Sequence, residues 1–188
     1  MNDLPTRKSI RLENYDYSQN GAYFITICVE EKRNLLGEIR NNERILNAYG
    51  MIVDEYIDKI GSLHDGIEIN KKVVMPNHIH FILSLVGVAY HATRGMAELS
   101  IQEKSKMTVP KMIQLFKAAT VKRCRGVGLH DVGLHNMQPL RWQRGYYEHI
   151  IRNEDDYLRI WQYIDENPVK WAEDKYFVDT CHEGDYHE

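Results

Sequence analysis

The chain has 188 residues, 43% of them hydrophobic and 27% charged, which are globular values that exclude a disordered or low-complexity chain. No run of about 18 apolar residues could span a membrane, and the basic N-terminus lacks the apolar stretch of a signal peptide. The net charge of −3 does not by itself mark a nucleic-acid binder, and the scattered Cys28, Cys124 and Cys181 exclude a disulfide framework or a CxxC site, so a reducing cytoplasm is the expected setting.

The apolar, β-branched segment 22–29 (AYFITICV) predicts a buried strand. Residues 44–60 place Ile45, Ala48, Ile52, Tyr56 and Ile60 at helical spacing, with Asn47 as a candidate N-cap and Gly61 as the expected stop. Residues 67–75 alternate as a strand, Pro76-Asn77 reads as a turn, and 78–85 (HIHFILSL) reads as a strand with a strong apolar face. Residues 86–107 have the mixed character of an insertion or loop. An amphipathic helix follows over 109–125, with Pro110 in its first turn. Residues 126–139 read as a loop and 146–151 as a short strand. Asn153 then caps a helix with an acidic first turn, which ends at Pro168.

Strand, helix, strand, strand, helix, strand, helix is the order of a split β-α-β arrangement. The expectation is an α+β, ferredoxin-like, four-stranded antiparallel sheet with helices on one face, plus one further C-terminal helix. No Pro-, Gly- or Ser-rich linker interrupts it. A single domain over 1–188 is expected, with an acidic tail from about residue 178.

The charge is unevenly spread. From Glu154 to Glu188 there are 11 acids and 3 bases, whereas Glu103 to Arg125 holds seven bases and one acid. That basic stretch is either a solvated helix face or a patch for phosphates.

His78 and His80 carry the first chemical signal. On a strand they point to one face while Ile79 points to the other, and their Cα atoms lie about 6.6 Å apart, a separation from which two imidazoles can converge on one divalent ion. Two half-buried histidines with hydrogen-bond partners would give the same pattern. Tyr163 and Asn167 carry the second signal. Four residues apart on a helix, they share a face about 6 Å apart along the axis. A nucleophile beside an amide ligand and a core aromatic beside a helix terminator both fit that spacing.

Taken together, VVMPNHIHFIL, RWQRGYYEHIIRNEDDYLRIWQYIDENPVKW, YDYSQNGAYFITICV and MIQLFKAATVKRCR resemble segments of the REP-associated tyrosine transposases, within the single-tyrosine HUH transposases. The resemblance covers roughly residues 9–177. It implies His78 and His80 as metal ligands, Asn167 as a third polar ligand and Tyr163 as the nucleophile on the last helix. Tyr157 is the rival tyrosine, but six residues away on a helix it faces nearly the opposite side.

The implied reaction is metal-dependent cleavage and rejoining of single-stranded DNA through a 5′-phosphotyrosine, at hairpin-containing repeats, with Mg²⁺ or Mn²⁺ as the cation suited to phosphate oxygen and His/Asn ligands. Lys111, Lys117, Lys122, Arg123 and Arg125 would contact the DNA backbone, while Trp142, Arg144 and Tyr146 would stack on exposed bases. Trp142 anchoring a loop against the core is the equal alternative. Whether Tyr163 completes its own subunit's site or that of a homodimer partner is open. Competing readings are a non-catalytic nucleic-acid-binding module and a zinc-stabilised protein using Cys124, His130 and His135.

Overall fold

The computed structural model describes residues 21–63, 66–85, 108–126 and 138–178. In chain order the elements are β1 (Gly21–Cys28), β2 (Gly37–Arg40), β3 (Glu43–Leu46), α1 (Ala48–Leu63), β4 (Ile67–Val74), β5 (His78–Leu85), α2 (Val109–Gly126), β6 (Tyr147–Ile151) and α3 (Glu154–Glu166), with short 3-10 helices at Glu30–Lys32 and Trp171–Glu173. The insertion read at 86–107, most of the loop at 126–139 and the acidic tail lie outside the described residues, as do Cys181, His130, His135, His182 and His187.

The fold is α+β, as the element order predicts. Its sheet has the order β4-β5-β1-β6 with every neighbouring pair antiparallel. The central pair is β1 with β5, in a register that sets Thr26 opposite His80 and Cys28 opposite His78. Strand alternation divides the sheet into two faces. One side buries Tyr23, Ile25 and Ile27 of β1 with Ile79, Phe81 and Leu83 of β5 against Val53 and Ile57 of α1 and Met112, Ile113 and Phe116 of α2. The other side packs Phe24, Val73 and Ile82 against Ile160 and Ile164 of α3 and against Trp171. Two helices therefore share one face, and α3 covers the other, the face that carries His78 and His80.

Two boundaries differ from the sequence reading. Residues 44–46 are not helical: they form β3, which pairs with β2 through an Asn41-Asn42 turn with φ of 53° and 64° at its two residues. Two positive φ values in succession are the primed-turn geometry that suits a tight hairpin, and asparagine tolerates it better than other side-chain-bearing residues. Asn47 does cap α1, its Oδ1 accepting from the Tyr49 and Gly50 amides at 2.9 and 3.0 Å. Gly61 does not stop α1. It lies inside the helix beside β4, where a Cβ would meet the Ile67 carbonyl oxygen at 3.4 Å, an ordinary van der Waals contact.

Candidate metal and nucleophile site

β5 begins immediately after the turn at Pro76-Asn77, which the Met75 amide closes on the His78 carbonyl at 2.8 Å. This start fixes the phase of the strand. His78 and His80 both point to the α3 face, with relative exposures of 0% and 1%. Burial holds both imidazoles well below their ordinary pKa, so they are neutral at neutral pH and can offer lone pairs.

Asn77, fully buried, sets the tautomer of His78. Its Nδ2 donates to the carbonyls of Lys32 and Tyr176 at 3.0 and 2.8 Å, which leaves Oδ1 facing His78 Nδ1 at 2.8 Å. A carboxamide oxygen only accepts, so Nδ1 carries the proton and Nε2 the lone pair. His80 Nδ1 meets the Thr26 hydroxyl at 2.8 Å, and a hydroxyl serves either tautomer of that ring. The two Nε2 atoms are 3.0 Å apart.

The α3 helix brings the tyrosine. Asn153 caps it by accepting from the Asp156 amide at 2.8 Å, three acids occupy its first turn, and Ile160 and Ile164 bury its inner face. Tyr163 follows Ile164's face closely enough to reach the site. Its hydroxyl lies 3.3 Å from His80 Nε2 and 3.3 Å from Asp174 Oδ2, and its ring sits edge-on to Phe24. The phenol and both imidazoles thus meet within one chain, and no partner subunit is needed to bring them together. Burial, and after it the Asp174 carboxylate, raises the Tyr163 pKa above its ordinary value, so the phenol is protonated at neutral pH. A cavity of about 300 Å³ opens beside it, lined by Arg159, Tyr163, Asn167, Lys170 and Asp174.

Asn167 keeps helical backbone angles (φ −56°, ψ −42°) at the C-cap of α3. Its side chain is 2% exposed; Nδ2 donates to Asp174 Oδ2 at 2.7 Å, and Oδ1 has no hydrogen-bond partner. An unpartnered oxygen in this position fits a cation ligand, because burying it unpaired otherwise costs about 1–3 kcal/mol. The donor set of two neutral imidazoles, one amide oxygen and a carboxylate suits a divalent metal.

Asp174 and Asn77 escaped the sequence reading as site residues. Asp174 follows Tyr163 by eleven positions and a helix break, and it stood among the acids of the C-terminal stretch. His78, His80 and Asp174 each offer a ligand atom within 4.8 Å of the others, the one such group of three His, Cys, Asp or Glu residues among the described residues. Tyr176 also lies here, its ring centroid 4.5 Å from that of His78, and burial pushes its pKa up to about 12. Tyr157 packs with Trp161 against the α3-side core, away from the histidines.

The residues read as DNA contacts divide. Lys111, Lys122, Arg123 and Arg125 are exposed on α2, on the face of the sheet opposite the histidines, and Arg144 is exposed before β6. Lys117 is not a free cation: its Nζ is half-buried and donates to the carbonyls of Gln143 and Gly145 at 2.8 and 2.7 Å. Trp142 is no stacking platform. It is 9% exposed, packs on Phe116 and donates from Nε1 to Thr120 Oγ1 at 2.9 Å, so it anchors the loop to the core. Tyr146 is half-buried against the same core, with Lys117 Nζ 5.8 Å from its ring centroid. Cys124 is buried in that core too, its thiol pushed up to about 11 by burial, while the two histidines paired with it in the zinc reading lie outside the described residues.

The comparisons with known proteins can now be set beside this geometry. A Haemophilus influenzae protein of uncharacterised role is 35% identical over 182 residues, spanning 92% of this chain and 94% of its own, and the chain belongs to one family with it. A candidate REP-associated tyrosine transposase of Haemophilus influenzae is 26% identical over 166 residues, covering 85% of this chain and 77% of its own length, and bears out the resemblance read from the sequence. Among solved structures, a REP-associated tyrosine transposase bound to a REP hairpin matches with a TM-score of 0.49 at 22% identity, over 88% of this chain and 76% of the other. A candidate transposase from Deinococcus radiodurans matches with a TM-score of 0.46 at 16% identity, over 83% of this chain and 95% of the other. No protein-family model matches the chain.

Proposed function

We propose that this protein is a tyrosine transposase of the HUH type, cutting and rejoining single-stranded DNA at hairpin-containing repeats. The observation that carries the reading is the Tyr163 hydroxyl 3.3 Å from His80 Nε2, across 83 positions of sequence. Random placement of one phenol and two adjacent imidazoles rarely yields such a cluster. Here each group is delivered by a different device: the turn before β5, the pairing of β5 with β1, and the apolar face of α3.

The chemistry is transesterification. The Tyr163 oxygen attacks phosphorus, a P–O bond forms to the phenol, the P–O bond to the 3′ oxygen breaks, and the DNA is left with a free 3′-hydroxyl and a 5′-phosphotyrosine. The phosphoester bond is exchanged rather than hydrolysed, so a later attack by a 3′-hydroxyl rejoins DNA without an external energy source. The phenol must lose its proton as it attacks, and with His80 Nε2 turned to the cation the acceptor at 3.3 Å is Asp174 Oδ2. Phe24 and Asp174 orient the ring and hydroxyl, which removes much of the entropic cost of attack. His78, His80 and Asn167 would hold Mg²⁺ or Mn²⁺, which when bound supplies electrophilic stabilisation of the phosphate oxygens. Lys111, Lys122, Arg123, Arg125 and Arg144 remain exposed for phosphate contacts.

The test is a denaturing gel of protein incubated with a labelled single-stranded hairpin oligonucleotide and Mn²⁺. Wild-type protein gives a covalent adduct. Tyr163→Phe gives none yet binds the hairpin with affinity within about threefold of wild type. An adduct at wild-type yield from Tyr163→Phe refutes the nucleophile. Absence of any adduct from wild-type protein on hairpins drawn from the DNA flanking its own coding region leaves a nucleic-acid-binding module.

A further inference from the structure

We propose that Asp174 is a third, anionic ligand of the divalent cation, so that the metal is held by two imidazoles and one carboxylate, with the Asn167 amide oxygen beside them. This rests on the reading of His78 and His80 as a metal site and deepens it.

The spacing of donor atoms is the first argument. The two Nε2 atoms stand 3.0 Å apart, the distance between adjacent corners around an ion that holds each ligand at roughly 2.1 Å. Opposite corners of such a shell are about 4.2 Å apart, and the ligand atoms of His78, His80 and Asp174 all lie within 4.8 Å of one another, close to that span. Direction is the second argument. Asn77 forces the His78 lone pair onto Nε2, the atom 3.0 Å from His80 Nε2, so a lone pair able to ligate a cation is aimed into the space between the two rings.

Preorganisation is the third. The Asp174 carboxylate is held before any ion arrives. Its Oδ1 accepts from the Tyr176 amide at 2.7 Å, the Tyr176 carbonyl accepts from Asn77 Nδ2 at 2.8 Å, and Lys32 Nζ donates to the Lys175 carbonyl at 3.0 Å. One side chain, Asn77, thereby orients His78 and ties down the segment that carries Asp174. The fourth argument is the buried Asn167 Oδ1, which has no partner although Nδ2 of the same amide is committed to Asp174.

The consequence is a preference. Two neutral imidazoles and one carboxylate leave a dication with a net single positive charge at the site. Mixed nitrogen and oxygen donors at octahedral spacing favour Mn²⁺ over Mg²⁺, which accepts imidazole less readily.

The experiment is titration of the metal-free full chain with Mn²⁺ alone, followed by the electron paramagnetic resonance signal of the free aquo ion. Asp174→Asn keeps the shape and removes the charge, and its Kd for Mn²⁺ rises by about tenfold or more while its circular dichroism matches wild type. A Kd within twofold of wild type, with binding lost in His78→Ala, overturns the proposal and leaves Asp174 as a hydrogen-bond acceptor for Tyr163 and Asn167. Unchanged Mn²⁺ binding in His78→Ala overturns the underlying metal reading as well. A second measurement needs no variant: in wild-type protein, substoichiometric Mn²⁺ broadens the Asp174 carboxyl carbon resonance together with the His78 and His80 ring signals. A sharp Asp174 signal beside vanished histidine signals overturns the ligand assignment.

Discussion

Asn77 uses both ends of a fully buried carboxamide, donating to two main-chain carbonyls and accepting from one imidazole. Asn77→Ala leaves the Lys32 and Tyr176 carbonyls and the His78 N–H without partners in a place closed to water. At about 1–3 kcal/mol for each orphaned buried group, partly relieved by local movement, the variant loses about 2–4 kcal/mol of stability in urea unfolding with chelator present. A loss under about 1 kcal/mol would mean that those carbonyls find other partners and that Asn77 does not organise the site. That His78 shares a face with His80, and Tyr163 with Asn167, was legible in the sequence because strand alternation and helical spacing are local rules, while the roles assigned to them came from the family resemblance. Asp174 was not legible. Once the chain leaves α3 at Asn167, no periodicity dictates its path, and the carboxylate reaches the histidines only because Trp171 packs in the α3-side core and Asn77 holds the Tyr176 carbonyl. Trp142 shows the converse difficulty: an indole beside arginines reads as a base-stacking residue, and only the Thr120 hydroxyl waiting in the core reveals that its N–H is already satisfied.

At the level of elements, the β2–β3 hairpin was hidden by a periodicity that ran one turn too far. Ile45 continues the apolar spacing of α1 backwards, so 44–46 read as helix, yet Asn41-Asn42 was the competing signal, and two consecutive left-handed residues decide for a hairpin. The hairpin sits against the start of α1 with little room. A Cβ on Gly50 would lie 2.0 Å from the Leu36 carbonyl oxygen, and backbone there cannot yield as a flexible side chain would. Gly50→Ala therefore destabilises the fold by about 3 kcal/mol through overpacking, although alanine is the better helix former. Gly126 supplies the control, since a Cβ there meets nothing within 4 Å and Gly126→Ala shifts stability by less than about 1 kcal/mol. Chemical denaturation of the two variants side by side checks the argument. Equal, small effects would show that α1 slides away from Leu36 at little cost.

On the scale of the whole molecule, the sheet separates two tasks. The α1–α2 side is a large apolar core whose outer surface carries the exposed cations of α2, and the α3 side is a smaller core with the two neutral histidines set into it. Burying imidazoles away from water ties folding to acidity. Both rings have their pKa lowered by burial, so below about pH 6.5 the unfolded chain binds protons that the folded chain refuses. Stability of the metal-free protein is then fully present above that pH and falls as the pH drops beneath it, by at most about 1.4 kcal/mol per pH unit for each ring. The Asp156 carboxylate, held low by hydrogen bonds from His149 and Arg159, works in the same direction but below its ordinary pKa of 3.8, outside that window. Urea midpoints at pH 7, 6 and 5 with chelator present should therefore decline steadily. The decline should be much weaker in the double variant His78→Gln, His80→Gln, whose amides do not titrate. Saturating Mn²⁺ should raise the wild-type midpoints, with the gain shrinking as the pH falls, because protons and metal compete for the same two nitrogens. Equal slopes for wild type and double variant would place the acid sensitivity elsewhere and leave the histidines without a measurable desolvation cost.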